Sequence, residues 1–429
     1  MRFDPCAYRL HSEVKYRREP FGSVVLRVDH QRTRFFNHGA SQVLELIAGG
    51  AARSGWSENF ENLSAEDERQ CDLFAGELLA NGIIEQRSNA AKDEALVFDN
   101  TEWDEGAECS EAPLGVEIEL TLKCSRACQY CAYEALPTFP TQGELTTAEW
   151  IDVLKGLEAA GVFFVRFTGG DPLLRSDFSE LIRAADDLRL IVTVGSDLTI
   201  LPDSVASALA STVNLYALQT TLDGSSAATA DSLRGHGNFA AVTRGISSLK
   251  RLGVPVIVGT VLTKRNIPEI PEIARLVGSL GADGYCVAPL YASGRAQSDS
   301  MSKLIPDNDD LGMAARLFAS AIQSGMVKPA DPAWMGATAE LSQNEIAEVW
   351  KDQPFLVRAP DQLVRIDPRG RVYTSIKLKP TLGEDVYVGS VRDRSIGELW
   401  REAPQLRNAR KAAQNSTFFG NVFDIRAEG

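Results

Sequence analysis

The sequence predicts an α/β protein in which a run of parallel strands and helices follows a smaller α+β domain. From Leu114 onward, short apolar runs of strand length alternate with amphipathic helical segments, which is the pattern of parallel α/β folds. Residues 1–88 show a different order, with three short strands and then two helices. Three cysteines spaced C-x3-C-x2-C directly follow the first strand of the alternating region.

The bulk composition bounds the class of protein. A chain of 429 residues with 44% hydrophobic and 24% charged residues is long enough for two or three soluble domains. The net charge of -14 repels phosphate backbones, so we expect no nucleic-acid partner. The first residues lack the apolar stretch of a signal peptide, and apolar runs such as Val254–Leu262 are too short to cross a bilayer. We therefore expect a cytoplasmic protein with reduced thiols and no membrane partner.

Residues 1–88 predict a small domain of their own. The second of its two helices begins at Ser64, where Asp67 three residues later forms a loose capping box, and it ends at Gly82. Residues 89–113 are acidic and weakly patterned, which predicts a linker. The predicted strands of the domain are Val14–Arg18, Val24–Val28 and Arg34–Asn37.

Residues 114–300 predict six strand–helix units. The first connecting helix begins at Thr146, with Glu149 completing a capping box. A closed barrel of this type has eight such units, so six predict an open arrangement. The predicted strands are Val116–Leu122, Val162–Phe167, Leu190–Val194, Asn214–Thr220, Val254–Leu262 and Gly284–Ala288.

The cysteine run Cys124, Cys128 and Cys131 predicts a metal centre. Three thiolates leave one iron of a four-iron cluster open, which suits a site that must bind something else. A structural zinc site would need a fourth ligand, and the next Cys and His are Cys286 and His236, far along the chain. The spacing therefore favours an iron–sulfur cluster over zinc.

This run, with Tyr130 just before its last cysteine, resembles the cluster loop of radical S-adenosylmethionine (SAM) enzymes. The resemblance implies a partial (β/α)6 barrel and one 4Fe–4S cluster ligated by Cys124, Cys128 and Cys131. It also implies SAM as cofactor, a flavodoxin or ferredoxin-type reductant, and reductive cleavage of SAM to a 5′-deoxyadenosyl radical that abstracts a hydrogen from the substrate.

The segment Thr168–Pro172 resembles the GGEP motif of this family. It follows the second strand, and loops at the carboxyl ends of parallel strands bind ligands. The resemblance implies that Gly169, Gly170 and Asp171 hold the methionine amino group of SAM. Asp stands where the family has Glu, so the carboxylate reaches less far.

Other positions match family contacts to SAM less closely. Ser196 follows the third strand, where the family contacts the ribose or carboxylate. Thr221 replaces the serine of an S-L-D-G segment and retains its hydroxyl. Arg234 matches an arginine that meets the SAM carboxylate, and Arg295 lies in a recurrent G-R-A segment of peptide-modifying members. Tyr130 is expected to present its backbone carbonyl to the adenine.

The strand and helix order of residues 1–88, with the run Arg17–Leu26, resembles PqqD-like peptide-recognition domains. In that family a leader peptide adds to the edge of the three-stranded sheet, and exposed strand edges are natural peptide docks. A winged helix that binds DNA, or one that only packs, is the alternative.

Residues 301–429 resemble the SPASM domain of peptide-modifying radical SAM enzymes, which carries auxiliary iron–sulfur clusters. Leu363–Ser375 predicts its hairpin, but Ser375 stands where that family has a cysteine, and Val357–Ala359 occupies the place of another. No cysteine follows Cys286, and serine and valine cannot replace thiolates on iron. We expect a degenerate SPASM-like domain that keeps the fold and lacks the clusters.

Together these features predict a radical SAM enzyme that modifies a ribosomally made precursor peptide. Cross-linking or cyclisation is the first expectation, with epimerisation or decarboxylation as alternatives. Cys286, on the sixth strand, is a candidate hydrogen donor for epimerisation, or else a small buried apolar side chain. The alternative functions are a radical SAM enzyme for a small molecule and a metal-stabilised winged-helix binding protein.

Overall fold

The computed structural model describes residues 4–19, 22–27, 32–36, 38–49, 55–60, 63–87, 111–329, 363–374 and 386–406. The chain divides into two compact units, Met1–Glu111 and Ala112–Gly429. Most of the predicted linker, 89–113, lies outside the described residues, as does Cys109. Within the described stretches, no helix combines the length and apolar character that a membrane crossing requires.

The first unit is built on a three-stranded antiparallel sheet, and its three predicted strands and two predicted helices are confirmed. The order β2-β3-β4 places β3 in the centre, and two short strands that were not predicted, β1 and β5, pair with each other. Its elements are β1 (Tyr8–Leu10), β2 (Val14–Glu19), β3 (Gly22–Arg27), β4 (Arg32–Phe36), α1 (His38–Ala48), α2 (Trp56–Asn59), α3 (Ala65–Ala80) and β5 (Ile84–Gln86).

The core of the first unit forms between the sheet and the helices. Leu44 and Ile47 of α1 and Ala75 and Leu78 of α3 are fully buried with Val25 of β3. The capping box at Ser64 is present: Asp67 N donates to Ser64 Oγ at 3.2 Å, and Ser64 N donates to the Asp67 carboxylate at 3.0 Å. The predicted start of α3 is thus confirmed.

The second unit contains a nine-stranded sheet in the order β11-β10-β9-β8-β7-β6-β12-β13-β14. Its first six strands in the chain are mutually parallel, as predicted. They are β6 (Gly115–Thr121), β7 (Phe164–Gly169), β8 (Ile191–Gly195), β9 (Leu215–Thr221), β10 (Val256–Leu262) and β11 (Gly284–Pro289), followed by β12 (Leu363–Ile366), β13 (Arg371–Thr374) and β14 (Tyr387–Ser390).

Helices connect these strands, and the capping box of α4 is formed by Thr146 and Glu149 as predicted. The helices are α4 (Thr147–Ala159), α5 (Phe178–Asp187), α6 (Asp203–Ser211), α7 (Ala227–Arg234), α8 (Asn238–Arg251), α9 (Ile270–Ser279), α10 (Asp299–Ser302), α11 (Asn308–Gln323) and α12 (Ile396–Glu402). Of these, α7, α10, α11 and α12 were not predicted.

The parallel strands differ in polarity between their two faces. On β7, Val165 and Phe167 pack into the apolar core with the helices, whereas Arg166 and Thr168 line a cavity on the opposite face. Parallel strands covered on both faces are usually apolar throughout. A polar face of such a sheet therefore indicates a cavity rather than a packed helix on that side. We call the face that carries Arg166 and Thr168 the inner face.

The C-terminal hairpin belongs to the same sheet. β12 runs parallel beside β6, with Val364 opposite Val116 and Arg365 opposite Glu117, and β13 pairs antiparallel with β12. The predicted hairpin is confirmed over these two strands. Ser375 and the segment Val357–Ala359, at the expected positions of the missing cysteines, lie outside the described residues.

Candidate active site

A cavity of about 580 Å³ opens at the carboxyl ends of the parallel strands. This is within the size range of small-molecule sites, and this end of the sheet is where parallel α/β proteins bind ligands. Its wall is formed by the cysteine loop after β6 and by residues of β7 to β11. The predicted site residues in the wall are Cys124, Cys128, Tyr130, Cys131, Gly169, Gly170, Ser196, Thr221, Arg234, Cys286 and Arg295.

The cysteine loop brings its three thiols to one cavity. Cys124 and Cys128 are buried, and Cys131 is partly buried. Burial raises the pKa of the Cys124 thiol, and the Asp197 carboxylate, 3.8 Å from its Sγ, raises it further. Burial likewise raises the pKa of Cys128, against a lowering effect of Arg234. These thiols will ionise readily only with a positive partner such as iron.

The donor set suits a cluster better than a single ion. In the part of the chain that the structure describes, no three His, Cys, Asp or Glu side chains converge closely enough to hold one metal ion. A four-iron cluster needs instead one thiolate per iron, spread over a larger volume. Arg234 Nε and Arg295 Nη2, both on residues that line the cavity, are buried donors without a hydrogen-bond partner in the described structure. Such donors fit a bound group rich in acceptors.

Arg295 holds the cysteine loop in place. Its Nε donates to the carbonyl of Cys128 at 2.7 Å, its Nη1 to the carbonyl of Ala135 at 3.1 Å, and its backbone N to the carbonyl of Cys131 at 3.1 Å. The preceding Gly294 lies so close to the Cys131 and Ala132 carbonyls that a Cβ there would overlap them. The G-R-A segment therefore holds the cysteine loop in place through hydrogen bonds to the backbone carbonyls of the loop.

The glycine pair after β7 allows close backbone packing. A Cβ on Gly169, which has φ 128°, would overlap the carbonyl oxygen of Thr121, and one on Gly170 would overlap that of Lys123. Any side chain at these positions would push the end of β7 away from the segment that leads into Cys124. Both glycines line the cavity, so they also leave its wall open to a ligand.

Asp171 lies behind the cavity wall. It is fully buried and is absent from the lining, and its carboxylate accepts from Leu173 N at 3.0 Å and from Ser196 Oγ at 2.9 Å. Burial, and next the Asp197 charge, raise the pKa of Asp171 well above its usual range. The carboxylate thus caps the turn Pro172–Leu174 and fixes Ser196. Its expected contact with an amino group stays a prediction.

Arg234 and Tyr130 form a buried cluster with Asp223. Arg234 Nη1 donates to Tyr130 Oη at 2.6 Å and to Asp223 Oδ2 at 3.2 Å, and the Tyr130 hydroxyl also bonds the Asp223 carboxylate. The cluster ties the cysteine loop to the loop after β9 and to α7. The expected contacts of Arg234, Ser196 and Thr221 with SAM, and of the Tyr130 carbonyl with adenine, stay predictions.

Cys286 lies on the inner face. It is buried on β11, lines the cavity, and has its Sγ 3.7 Å from Nε2 of Gln219. Strand alternation alone left its direction open. It packs against Ala217 and Ile257 as well, so its role as a hydrogen donor stays a prediction.

Sequence reasoning did not single out Arg126, Arg166 and Gln219 of the cavity wall. A usable signal existed for two of them. Arg166 and Gln219 interrupt apolar strands at single positions, as in Phe-Val-Arg-Phe and Ala-Leu-Gln-Thr, which predicts a polar face.

The wall carries four arginines and one carboxylate, although the chain is acidic overall. The cavity therefore favours anionic groups.

The comparisons with known proteins agree with this geometry. The sequence profile of the radical SAM superfamily matches residues 118–277. Over 200 residues the chain is 33% identical to the mycofactocin maturase MftC of Mycobacterium tuberculosis, covering 46% of this chain and 50% of that protein. Over 179 residues it is 35% identical to the AdoMet-dependent heme synthase of Oleidesulfovibrio alaskensis, covering 42% and 46%. The chain spans about half the length of these curated relatives.

Among solved structures, Streptococcus suis SuiB bound to S-adenosylmethionine matches with a TM-score of 0.65 over 94% of this chain and 90% of that one. At 15% identity the likeness concerns the fold. Members of the radical SAM superfamily bind a 4Fe–4S cluster and S-adenosylmethionine. The superfamily match begins within β6, extends through β10 and includes the loop with the three cysteines. Residues 118–277 of this chain therefore match the radical SAM superfamily, and the similar proteins include one named a mycofactocin maturase.

Proposed function

We propose that this protein is a radical SAM enzyme that modifies a ribosomally synthesised precursor peptide. The observation that carries the proposal is the convergence of Cys124, Cys128 and Cys131 on one cavity with the glycine pair of β7. When bound there, the reduced 4Fe–4S cluster and SAM would supply a 5′-deoxyadenosyl radical that takes a hydrogen atom from the substrate.

The residues of this chain would prepare the site. The three thiolates would hold three irons and leave the fourth open to SAM. Arg295 keeps the loop carbonyls oriented, and the Arg234–Tyr130–Asp223 cluster fixes the other side of the loop. The buried N–H groups of Arg234 and Arg295 would donate to acceptors of the bound cofactors. A flavodoxin or ferredoxin-type protein would supply the electron.

The peptide substrate is supported by the first unit and by the relatives. Among the described residues the three-stranded sheet has β2 and β4 as its edges, and we propose that this winged-helix-like, PqqD-like unit binds the leader of the precursor there. MftC is named a maturase, and SuiB has been solved with the precursor peptide SuiA. We further propose that the region around β12 to α12 is a SPASM-like extension without auxiliary clusters.

The type of modification depends on what happens to the substrate radical. A cross-link or cyclisation must lose an electron, and the expected absence of auxiliary clusters then leaves the SAM cluster as acceptor. Epimerisation instead takes a hydrogen atom from the opposite face, and Cys286 could donate it from the same cavity, because an S–H bond is weak. The thiyl radical left on Cys286 would then need one electron from the reductant and one proton from solvent.

The test is co-expression with short precursor-like peptides encoded beside the gene, in deuterated water, followed by mass spectrometry of the peptide. Loss of two hydrogens without solvent label supports a cross-link. Gain of one deuterium, abolished by Cys286→Ala, supports epimerisation, and loss of the mass of carbon dioxide supports decarboxylation. An unmodified peptide would contradict the peptide-maturase proposal.

A small-molecule substrate is the second candidate. It is favoured by the similarity to a protein named AdoMet-dependent heme synthase, whose name describes a non-peptide product. In that case the first unit would have no role in substrate binding.

A further inference from the structure

A row of three side chains forms a deeper part of the cavity wall. Arg166 of β7, Gln219 of β9 and Cys286 of β11 lie two or three residues before the ends of their strands, about 7 to 10 Å below the carboxyl edge. Arg166 Nη1 donates to Gln219 Oε1 at 2.6 Å, and Gln219 Nε2 lies 3.7 Å from Cys286 Sγ. The three side chains thus form a connected line across the inner face.

The two strands that lie between the members of this row, β8 and β10, each carry a glycine beside it. Gly195 of β8 is in register with Gln219, and Gly259 of β10 is in register with Cys286. Neither has a positive φ, so the backbone would accept a side chain at both positions. A Cβ on Gly259 would stand 3.5 Å from Cys286 Sγ, and one on Gly195 would stand 3.4 Å from Arg166 Nη2. The glycines therefore keep space open directly beside the row.

The row presents hydrogen-bond donors to that space. Arg166 has only donors, so the Gln219 oxygen must face it and the Gln219 amide group must face Cys286. Behind the row, Glu117 lies 4.0 Å from Arg166 Nε and accepts from Tyr133 Oη at 2.5 Å. Glu117 is buried and is not part of the cavity lining. The cation therefore faces the cavity and its counter-charge does not.

We propose that Arg166 and Gln219, with the space beside Gly195 and Gly259, form a pocket for a carboxylate of the substrate peptide. The source is either an Asp or Glu side chain or the C-terminal carboxylate, and the pocket would select which residue lies next to Cys286. The proposal rests on the proposed function. A guanidinium with a neighbouring side-chain amide binds a carboxylate strongly. A ligand that carries a neutral amide instead of the carboxylate makes weaker hydrogen bonds to the same two groups.

The experiment measures binding to the full chain, reconstituted anaerobically and saturated with SAM. The probes are N-acetylated pentapeptides of sequence Ala-Ala-Xaa-Ala-Ala, compared in two matched pairs. In the first pair the central residue is Glu or Gln and the C-terminus is amidated. In the second pair the central residue is Ala and the C-terminus is either free or amidated. We expect one carboxylate peptide to bind about tenfold more tightly than its neutral partner, the factor of one charged hydrogen bond. The pair that shows the preference identifies the source of the carboxylate.

Two variants locate the preference. Arg166→Met should abolish the preference for the carboxylate peptide. Gly259→Val, which keeps Arg166 and fills the space beside Cys286, should reduce the same preference. Arg275→Met, an arginine whose side chain is 61% exposed, is the matched control and should leave it unchanged. Equal binding of both members of each pair to the wild type, or a preference that survives both pocket variants, would overturn the inference. Wild-type protein that forms no 5′-deoxyadenosine would instead contradict the proposed function.

Discussion

At the scale of single residues, the surroundings of the three cysteines differ from those of an exposed reactive thiol. Reactive cysteines lie in positive, accessible surroundings that lower the pKa of the thiol. Here burial raises the pKa of Cys124 and Cys128, and the Asp197 carboxylate adds to the effect at Cys124. Iron bound by this loop would displace the protons of both thiols. The free energy of iron binding would then have to exceed the cost of forming two thiolates in a buried site.

We expect the reconstituted protein to hold about four irons per chain, the content of one four-iron cluster, and to form 5′-deoxyadenosine when reduced. Changing Cys124, Cys128 and Cys131 together to Ala should abolish both, because no thiolate ligand remains in the loop. Cys71→Ala, a partly buried cysteine of the first unit, is the control and should change neither. Iron and cleavage activity that persist in the triple variant would refute the assignment. A content near eight irons would indicate a second cluster.

At the scale of elements, a buried ion pair joins β12 to β6, the first of the parallel strands. Arg365 Nη1 of β12 lies 2.8 Å from Glu119 Oε1 of β6, and the guanidinium lies 4.8 Å from the ring centroid of Tyr373 on β13. Burial raises the pKa of Glu119 to about 7 and outweighs the lowering effect of Arg365. The ion pair therefore orients β12 but adds a cost when Glu119 is charged.

The free energy of unfolding should decrease as the pH rises, because Glu119 of this pair becomes charged in the folded chain. Glu119 keeps its proton to about pH 7 in the folded chain but loses it near 4.5 when unfolded, so the folded state binds more protons between these values. This contribution is present below about pH 4.5 and is lost as the pH rises through 7. Glu119→Gln, which stays neutral, should become progressively more stable than the wild type from pH 5 to 8, by at most about 1.4 kcal/mol per pH unit.

The measurement is urea unfolding of the chain without metal, under reducing conditions, at several pH values. The control is Glu158→Gln, which changes an exposed carboxylate of α4. A stability difference between Glu119→Gln and wild type that stays constant across this pH range would show that Glu119 titrates alike in both states.

At the scale of the whole molecule, the chain has two units, each with a core of its own. The proposed chemistry is confined to the second unit, whose cavity is lined by residues between Cys124 and Gln297. The first unit contributes a small sheet with two edge strands. The proposed function therefore assigns peptide capture and radical chemistry to separate parts of the chain.

A chain that begins at Ala112 should keep SAM cleavage and bind the precursor peptide roughly a hundredfold more weakly, because the leader would no longer tether the reacting segment. The measurements are 5′-deoxyadenosine formation and precursor affinity of both chains, with the leader-free core peptide as control. Equal precursor affinity with and without the first unit would favour the small-molecule alternative.

Much of the fold and the loop with the three cysteines could be predicted because the signals are local. The cysteine spacing, the capping boxes at Ser64 and Thr146, and the alternation of the six strands each involve residues a few positions apart. Hydrogen bonds and periodicities over such short separations depend little on the remainder of the chain.

The sequence by itself therefore determined the class of fold, the loop with its three cysteines, and the end of the sheet where the cavity opens. Only the tertiary structure decided that β12 joins β6, that Cys286 points into the cavity, and that Asp171 lies behind its wall. Glu119 and Arg365, which meet across this sheet, are 246 positions apart. Which face a strand side chain occupies depends on register with its neighbours, and a shift of one residue reverses it. No local pattern carries that information.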